Sequence, residues 1–144
     1  MFLPINMRSA NAYQKVGIES AVLGADAHQM IGLLFEDLMK TIGIAKFSLR
    51  SGDIVAKGKA IGRAVRFIEE GLKAVLNDVE GGEVAANLRV LYSYCVVLLS
   101  EANLRNDPAK LEEAEKLLQP VAQAWIQIRP EVAGKTTSSF RAGV

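Results

Sequence analysis

Apolar residues along this chain recur at steps of three and four, and no strand-like alternation persists. Ala27, Ile31, Leu34, Leu38, Ile42, Ala45 and Leu49 form one such stripe, which predicts a helix over 26–50. Asp26 offers its N-cap, with Gln29 three residues on; Ser51-Gly52 breaks it and Asp53 offers the next cap. Ile54, Ile61, Val65, Ile68, Leu72 and Val75 carry a second helix to about Asp78, closed by Gly81-Gly82. Val84, Leu88, Leu91, Cys95, Leu98 and Ala102 mark a third over 83–105. Asn106-Asp107-Pro108 stops that helix and starts a fourth, because Asp107 caps and Pro108 fits the first helical position, where its missing N–H costs nothing. Leu111, Ala114, Leu118, Val121, Trp125 and Ile128 complete it, ahead of Arg129-Pro130. Pro120 inside this stretch predicts a kink. Helices joined by such short loops run antiparallel to their neighbours. The predicted fold is therefore all-α, an up-down-up-down four-helix bundle over 26–129. Residues 1–25 read as an N-terminal capping segment and 130–144 as a flexible tail.

The third helix is more apolar than a bundle requires. Leu88, Val90, Leu91, Tyr92, Tyr94, Cys95, Val96, Val97, Leu98 and Leu99 cover most of its circumference. A helix apolar all round is either fully buried or covered by something else. Since each helix of a bundle keeps one face outward, some of Val90, Tyr94 and Val97 need a cover; Leu33, Phe35 and Met39 are a smaller surplus on the first helix. The alternative is that these are singly exposed apolar residues, which are ordinary on monomers. A contiguous groove for a partner helix is the reading preferred here. Tyr13, Val16 and Ile18 in the N-terminal segment would form a removable cover for it.

Charge and composition narrow the chemistry. Seventeen Lys+Arg against sixteen Asp+Glu give a net charge of +1, without the basic excess of a nucleic-acid or anionic-membrane surface. One cysteine, Cys95, excludes an internal disulfide and any multi-cysteine metal site; it reads as a small core hydrophobe. One histidine, His28, leaves no Glu-x-x-His pairs for a di-iron bundle, and its neighbours Asp26, Ala27, Gln29 and Met30 do not suit a phosphotransfer histidine. Glu69-Glu70, Glu112-Glu113 and Glu115 read as solvated faces, and Gly81-Gly82-Glu83 lacks the Gly-Lys-Ser/Thr of a phosphate loop. Gly58, Gly62 and Gly71 either admit a close neighbour or merely soften the second helix. No convergent polar pocket suggests an enzyme, a metal or a cofactor. The start, Met-Phe-Leu-Pro-Ile-Asn-Met-Arg, lacks the pattern of a secretory signal, and the longest strongly apolar run, Tyr94–Leu99, is far short of the ~20 residues of a membrane span. A cytoplasmic protein without membrane insertion is expected.

Several segments, in order and spacing, resemble the flagellar secretion chaperone FliS family. They are Ala12-Tyr13-Gln14-Lys15 with Ile18-Glu19-Ser20; His28-Gln29-Met30-Ile31 leading into Leu33-Leu34-Phe35-Glu36; and Glu80-Gly81-Gly82-Glu83-Val84-Ala85-Ala86-Asn87-Leu88. Leu91-Tyr92-Ser93-Tyr94, Ala102-Asn103 with Asn106-Asp107, and Ala124-Trp125-Ile126-Gln127-Ile128 complete the set, over roughly 11–128. Cys95 stands where the family often has methionine, and Asp26-Ala27 where Ser-Pro is common. The resemblance implies an antiparallel four-helix bundle without catalysis, whose N-terminal segment caps an apolar surface. It implies binding of the disordered C-terminal region of flagellin in the cytoplasm, which blocks premature polymerisation, and presentation of flagellin to the flagellar type III export apparatus. The residues expected to hold the partner are Leu88, Leu91, Tyr92, Tyr94 and Val97 from the third helix and Trp125 and Ile128 from the fourth. A self-associating structural bundle, such as a homodimer, and a type III chaperone for another client are the rival readings.

Overall fold

Four local stop-and-start signals lay out the architecture. The computed structural model describes residues 27–128. Helix α1 spans Ala27–Arg50, α2 spans Ile54–Arg66, α3 spans Asp78–Arg105 and α4 spans Pro108–Gln127. No strand occurs among the described residues. Asp53 caps α2 by accepting from the Ala56 N–H, and Asp107 caps α4 by accepting from the Ala109 N–H, each satisfying a donor that no helical carbonyl reaches. Left-handed backbone at Gly52 (φ 83°) and Asn106 (φ 53°) turns the chain out of α1 and α3. The expected Asp26 cap lies outside the described residues.

Side-chain bridges fix the direction of each neighbouring pair. His28 meets Trp125 and Lys46 meets Glu115, so α1 and α4 run in opposite senses. Lys57 meets Asn103 and Lys73 meets Ser93, which does the same for α2 and α3. Glu101 with Lys110 and Tyr94 with Glu113 do so for α3 and α4. The bundle is up-down-up-down. Its centre is one cluster that includes Leu34, Phe35, Leu38, Ile42, Phe67, Ile68, Leu98, Leu99, Leu111 and Leu118. Lys57 is also buried, at 3% exposure, with its ammonium on the carbonyl (2.9 Å) and side-chain oxygen (2.7 Å) of Asn103. That places a cation against the last turn of α3, where the helix dipole and unpaired carbonyls favour one.

The structure departs from the pattern in three places. The second helix does not run to Asp78: it widens into a π-helical segment over Phe67–Leu72, closed by the Lys73 N–H on the Ile68 carbonyl, and ends there. Gly71 lies in that segment against Leu34, so close that an added Cβ would stand 2.5 Å from the Leu34 Cδ2. The next helix starts early, at Asp78, because the Asn77 side chain accepts from both the Val79 and Glu80 N–H groups. Gly82 (φ 53°, ψ −127°) then kinks it, and regular helix resumes at Glu83, where the sequence placed its start. Third, Ile54 and Val84 leave the core: one opens α2 beyond the end of the seam, the other follows the kink, and they are 48% and 67% exposed. Phe35, taken as surplus, is 1% exposed and belongs to the core, since it points between α1 and α4. Helix α4 is continuous through Pro120, which is exposed.

Helix α3 is by length and composition apolar enough to cross a membrane, with a mean hydropathy of 1.3 over its most apolar stretch, which no single apolar run discloses. It packs into the bundle through Tyr92, Cys95, Leu98, Leu99 and Ala102, yet only 28% of that stretch is buried. Val90 (70%), Tyr94 (45%) and Val97 (50%) stay exposed, the surplus the sequence predicts, and Leu104 (78%), not singled out there, joins them. At steps of four, three and seven they share one side of the helix.

Candidate partner-binding grooves

Between α1 and α4 runs an open groove of about 730 Å³. Leu33, Phe35 and Met39 from α1 and Ala122, Trp125 and Ile126 from α4 supply its apolar surface. Gln29, Glu36, Glu115, Gln119 and Gln123 supply polar groups around it. Small residues set its depth. Gly32 withholds a side chain whose Cβ would stand 3.9 Å from the Trp125 ring, and Ala122 faces it from α4.

Trp125 marks the end of the groove. Its indole stacks on the His28 imidazole with centroids 4.8 Å apart and planes 18° from parallel. The Trp125 Nε1–H donates to the His28 carbonyl at 3.0 Å, and the His28 Nε2–H donates to the Trp125 carbonyl at 2.9 Å. This reciprocal clasp holds the first turn of α1 against the last turn of α4 and fixes the indole as a wall. Neither half is visible in the sequence, where His28 reads as a first-turn polar residue.

Behind that wall lies a second, smaller cavity of about 190 Å³. Ile31, Phe35, Leu72, Val75, Leu76, Leu88, Tyr92, Val121 and Trp125 make it almost wholly apolar, and the kinked start of α3 at Gly81, Val84 and Ala85 forms its outer side. Phe35 and Trp125 line both cavities, so the two lie back to back across this pair of side chains.

Of the residues expected to hold a partner, Leu88, Tyr92 and Trp125 come together in this end cavity. Tyr92 contributes as a wall only: at 3% exposure it is a core residue, and burial raises its phenol pKa far above the ordinary value. Leu91 is half-buried against the core. Tyr94 and Val97 lie elsewhere, on the outer stripe of α3, and Ile128 is 53% exposed just past α4. The Tyr94 hydroxyl donates to the Glu113 carboxylate at 2.7 Å, and that bond raises its pKa. Tyr13, Val16 and Ile18, expected to cap the surface, lie outside the described residues, as does the tail over 130–144. Sequence reasoning left Gly32, Ala122 and Ile126 out of the groove. The available signal was the small pair, Gly32 and Ala122, on helices whose ends are predicted to meet. Among the described residues no group of three or more His, Cys, Asp or Glu side chains is placed to hold a metal ion.

Fold and surface together define an all-α four-helix bundle with apolar troughs open beside Trp125. Comparison with known proteins gives the lineage. A family model described as flagellar protein FliS matches residues 9–132. The flagellar secretion chaperone FliS of Salmonella typhimurium is 46% identical over 122 residues, covering 85% of this chain and 90% of that protein. Its Escherichia coli namesake is 36% identical over 118 residues (82% and 87%), and that of Bacillus subtilis 28% over 116 (81% and 82%). The chain belongs to the FliS family of flagellar secretion chaperones.

Proposed function

We propose that this protein is a cytoplasmic export chaperone that binds the disordered C-terminal region of flagellin, prevents its premature polymerisation and assists its delivery to the flagellar type III export apparatus. The observation that carries this reading is the apolar trough between α1 and α4, with the end cavity on the other side of Trp125. A terminal segment that forms an amphipathic helix only against a partner needs a long apolar surface, because ordering it costs about 2–5 kcal/mol or more of the gross interaction. The trough offers that surface, and its amide and carboxylate groups suit the polar flanks of such a helix. The printed names of the relatives, flagellar secretion chaperones, support the same reading.

The test is calorimetry of the purified chain with a peptide from the C-terminal region of flagellin. Leu33, 39% exposed on the groove, is the residue to change, since Leu33→Glu leaves the core intact. The expected result is saturable binding by the unmodified chain and a loss of about tenfold or more in the variant, or at least ~1.4 kcal/mol. No binding by the unmodified chain overturns the assignment to flagellin.

A further inference from the structure

We propose that residues 78–82 are a hinged lid over the end cavity, with Gly82 as the hinge and the Asp78–Arg89 ion pair as a latch that holds only the closed position. Gly82 stands at φ 53° and ψ −127°, the mirror image of extended backbone, which glycine alone adopts readily. The chain is helical on both sides of it, so one residue separates a bent α3 from a straight one. The bend brings Asp78 back alongside the helix, where the Arg89 Nη2 donates to both carboxylate oxygens, at 2.9 and 3.0 Å. In an unbroken helix the same two residues stand about 16 Å apart along the axis, farther than their side chains can bridge. The ion pair therefore belongs to the bent state alone. Among the described residues it is also the one side-chain bond that ties 78–81 to anything beyond the hinge.

Gly81 carries a second mark of the same state. A Cβ on it would stand 2.7 Å from the Ala85 Cβ. Along a regular helix, residues four apart hold their Cβ atoms about 5–6 Å from each other, so this crowding is a product of the bend. Both glycines are thus required by the bent state and by no other contact of the helix. Ala85, directly beneath, is 3% exposed, and with Gly81 and Val84 it lines the end cavity opposite Trp125. Asp78, Val79 and Glu80 are exposed and none belongs to the core cluster. What holds the segment down is an ion pair between side chains 65% and 40% exposed, an interaction that contributes little in water and weakens with salt. A weak latch and a glycine hinge make a two-state element whose states lie close in free energy. Opening lifts Gly81 from Ala85 and uncovers about 190 Å³ of apolar space, room enough for a benzene-sized group. The device is a property of the free chain and does not rest on flagellin.

The experiment places spin labels on Val79→Cys and Val97→Cys in the full chain carrying Cys95→Ala, and measures the distance between them. Both positions are exposed, at 90% and 50%. A straight helix puts them on one side, about 27 Å apart, and the bend brings them closer. The expected result is a main population at the shorter distance with a minor one near the straight-helix value. Arg89→Ala, or high salt, is expected to raise the ratio of long to short about threefold. Gly82→Ala, whose Cβ disfavours the bent backbone, is expected to make the long distance dominant. Arg89→Ala changes no core contact and carries the test should Gly82→Ala unfold. Trp125 is the chain's one tryptophan and lines the cavity, so acrylamide quenching of its fluorescence should rise with the long population, by about 1.5-fold or more in Gly82→Ala. Distances unchanged by Arg89→Ala and by salt would overturn the proposal, leaving a fixed turn. A lengthened distance with unchanged quenching would overturn it too, since the moving segment would then cover nothing.

Discussion

Cys95 and Tyr92 show how one face of α3 is locked inside the bundle. Cys95 has no exposure, and burial first, then the Glu113 carboxylate, pushes its thiol up to about 11. Tyr92, three residues earlier, is shifted in the same direction, again chiefly by burial. Both groups resist ionising in the folded chain and ionise at lower pH when unfolded. Above the ordinary thiol value the unfolded chain therefore binds fewer protons than the native one, and stability falls as pH rises. The contribution is fully present at neutral pH and is lost between about pH 9 and 11, a drop on the order of 2 kcal/mol from the thiol alone. Urea unfolding at a series of alkaline pH values measures it, and Cys95→Ala is expected to flatten that fall without removing the part owed to Tyr92. The sequence placed Cys95 correctly on the seam. It placed Tyr92 on the surface, because a helix apolar on every side has two arcs that satisfy the same spacing, and a tyrosine hydroxyl gives no sign of which arc turns inward.

At the scale of the helices, α2 shows which glycines serve packing and which do not. Gly71 sits in the π-helical segment with Leu34 pressed against it, so Gly71→Ala forces a Cβ to within 2.5 Å of a packed side chain that has no exposure to yield into. A loss of about 1–3 kcal/mol is expected. Gly43, in the middle of α1, is exposed with open space where its Cβ would stand, and Gly43→Ala is expected to stabilise by about 0.5–1 kcal/mol. Thermal melts of the two variants against the unmodified chain should move in opposite directions. This contrast also marks the boundary of what the sequence discloses. Helix positions, the Asp53 and Asp107 caps and most of the seam follow from local chemistry: three- and four-residue steps, a carboxylate before a helix, a proline at its first turn. The early end of α2 does not, because a π-helical turn arises where Gly71 and Leu34 meet from different helices. The His28–Trp125 clasp is hidden for the same reason: its two halves are 97 residues apart and each alone looks ordinary.

Two of the apolar surfaces that the described residues expose share no residue. One is the trough of Leu33, Met39, Ala122 and Trp125 between α1 and α4; the other is the outer stripe of Val90, Tyr94, Val97 and Leu104 on α3. Leu33 and Tyr94 share no cavity and belong to helices at opposite corners of the bundle, since α1 packs on α2 and α4, and so does α3. A single short helix cannot cover both. A long segment that is disordered when free can wrap the bundle and use each in turn, and that is the binding mode we propose for a flagellin C-terminal region. Its energetic signature is additivity. Tyr94→Asp breaks a hydrogen bond between exposed groups, removes no core contact and should leave helical content unchanged while lowering affinity for the flagellin peptide about tenfold. Leu33→Glu is expected to do the same from the other side. With the two sites too far apart to share a partner group, their free-energy losses should sum, giving about a hundredfold for the double variant. If Tyr94→Asp leaves calorimetric affinity unchanged while Leu33→Glu weakens it, the partner occupies the trough alone, and the α3 stripe serves some other contact. If either single variant abolishes binding as completely as the pair, the segment docks all at once and the picture of two independent stations on one wrapped chain is wrong.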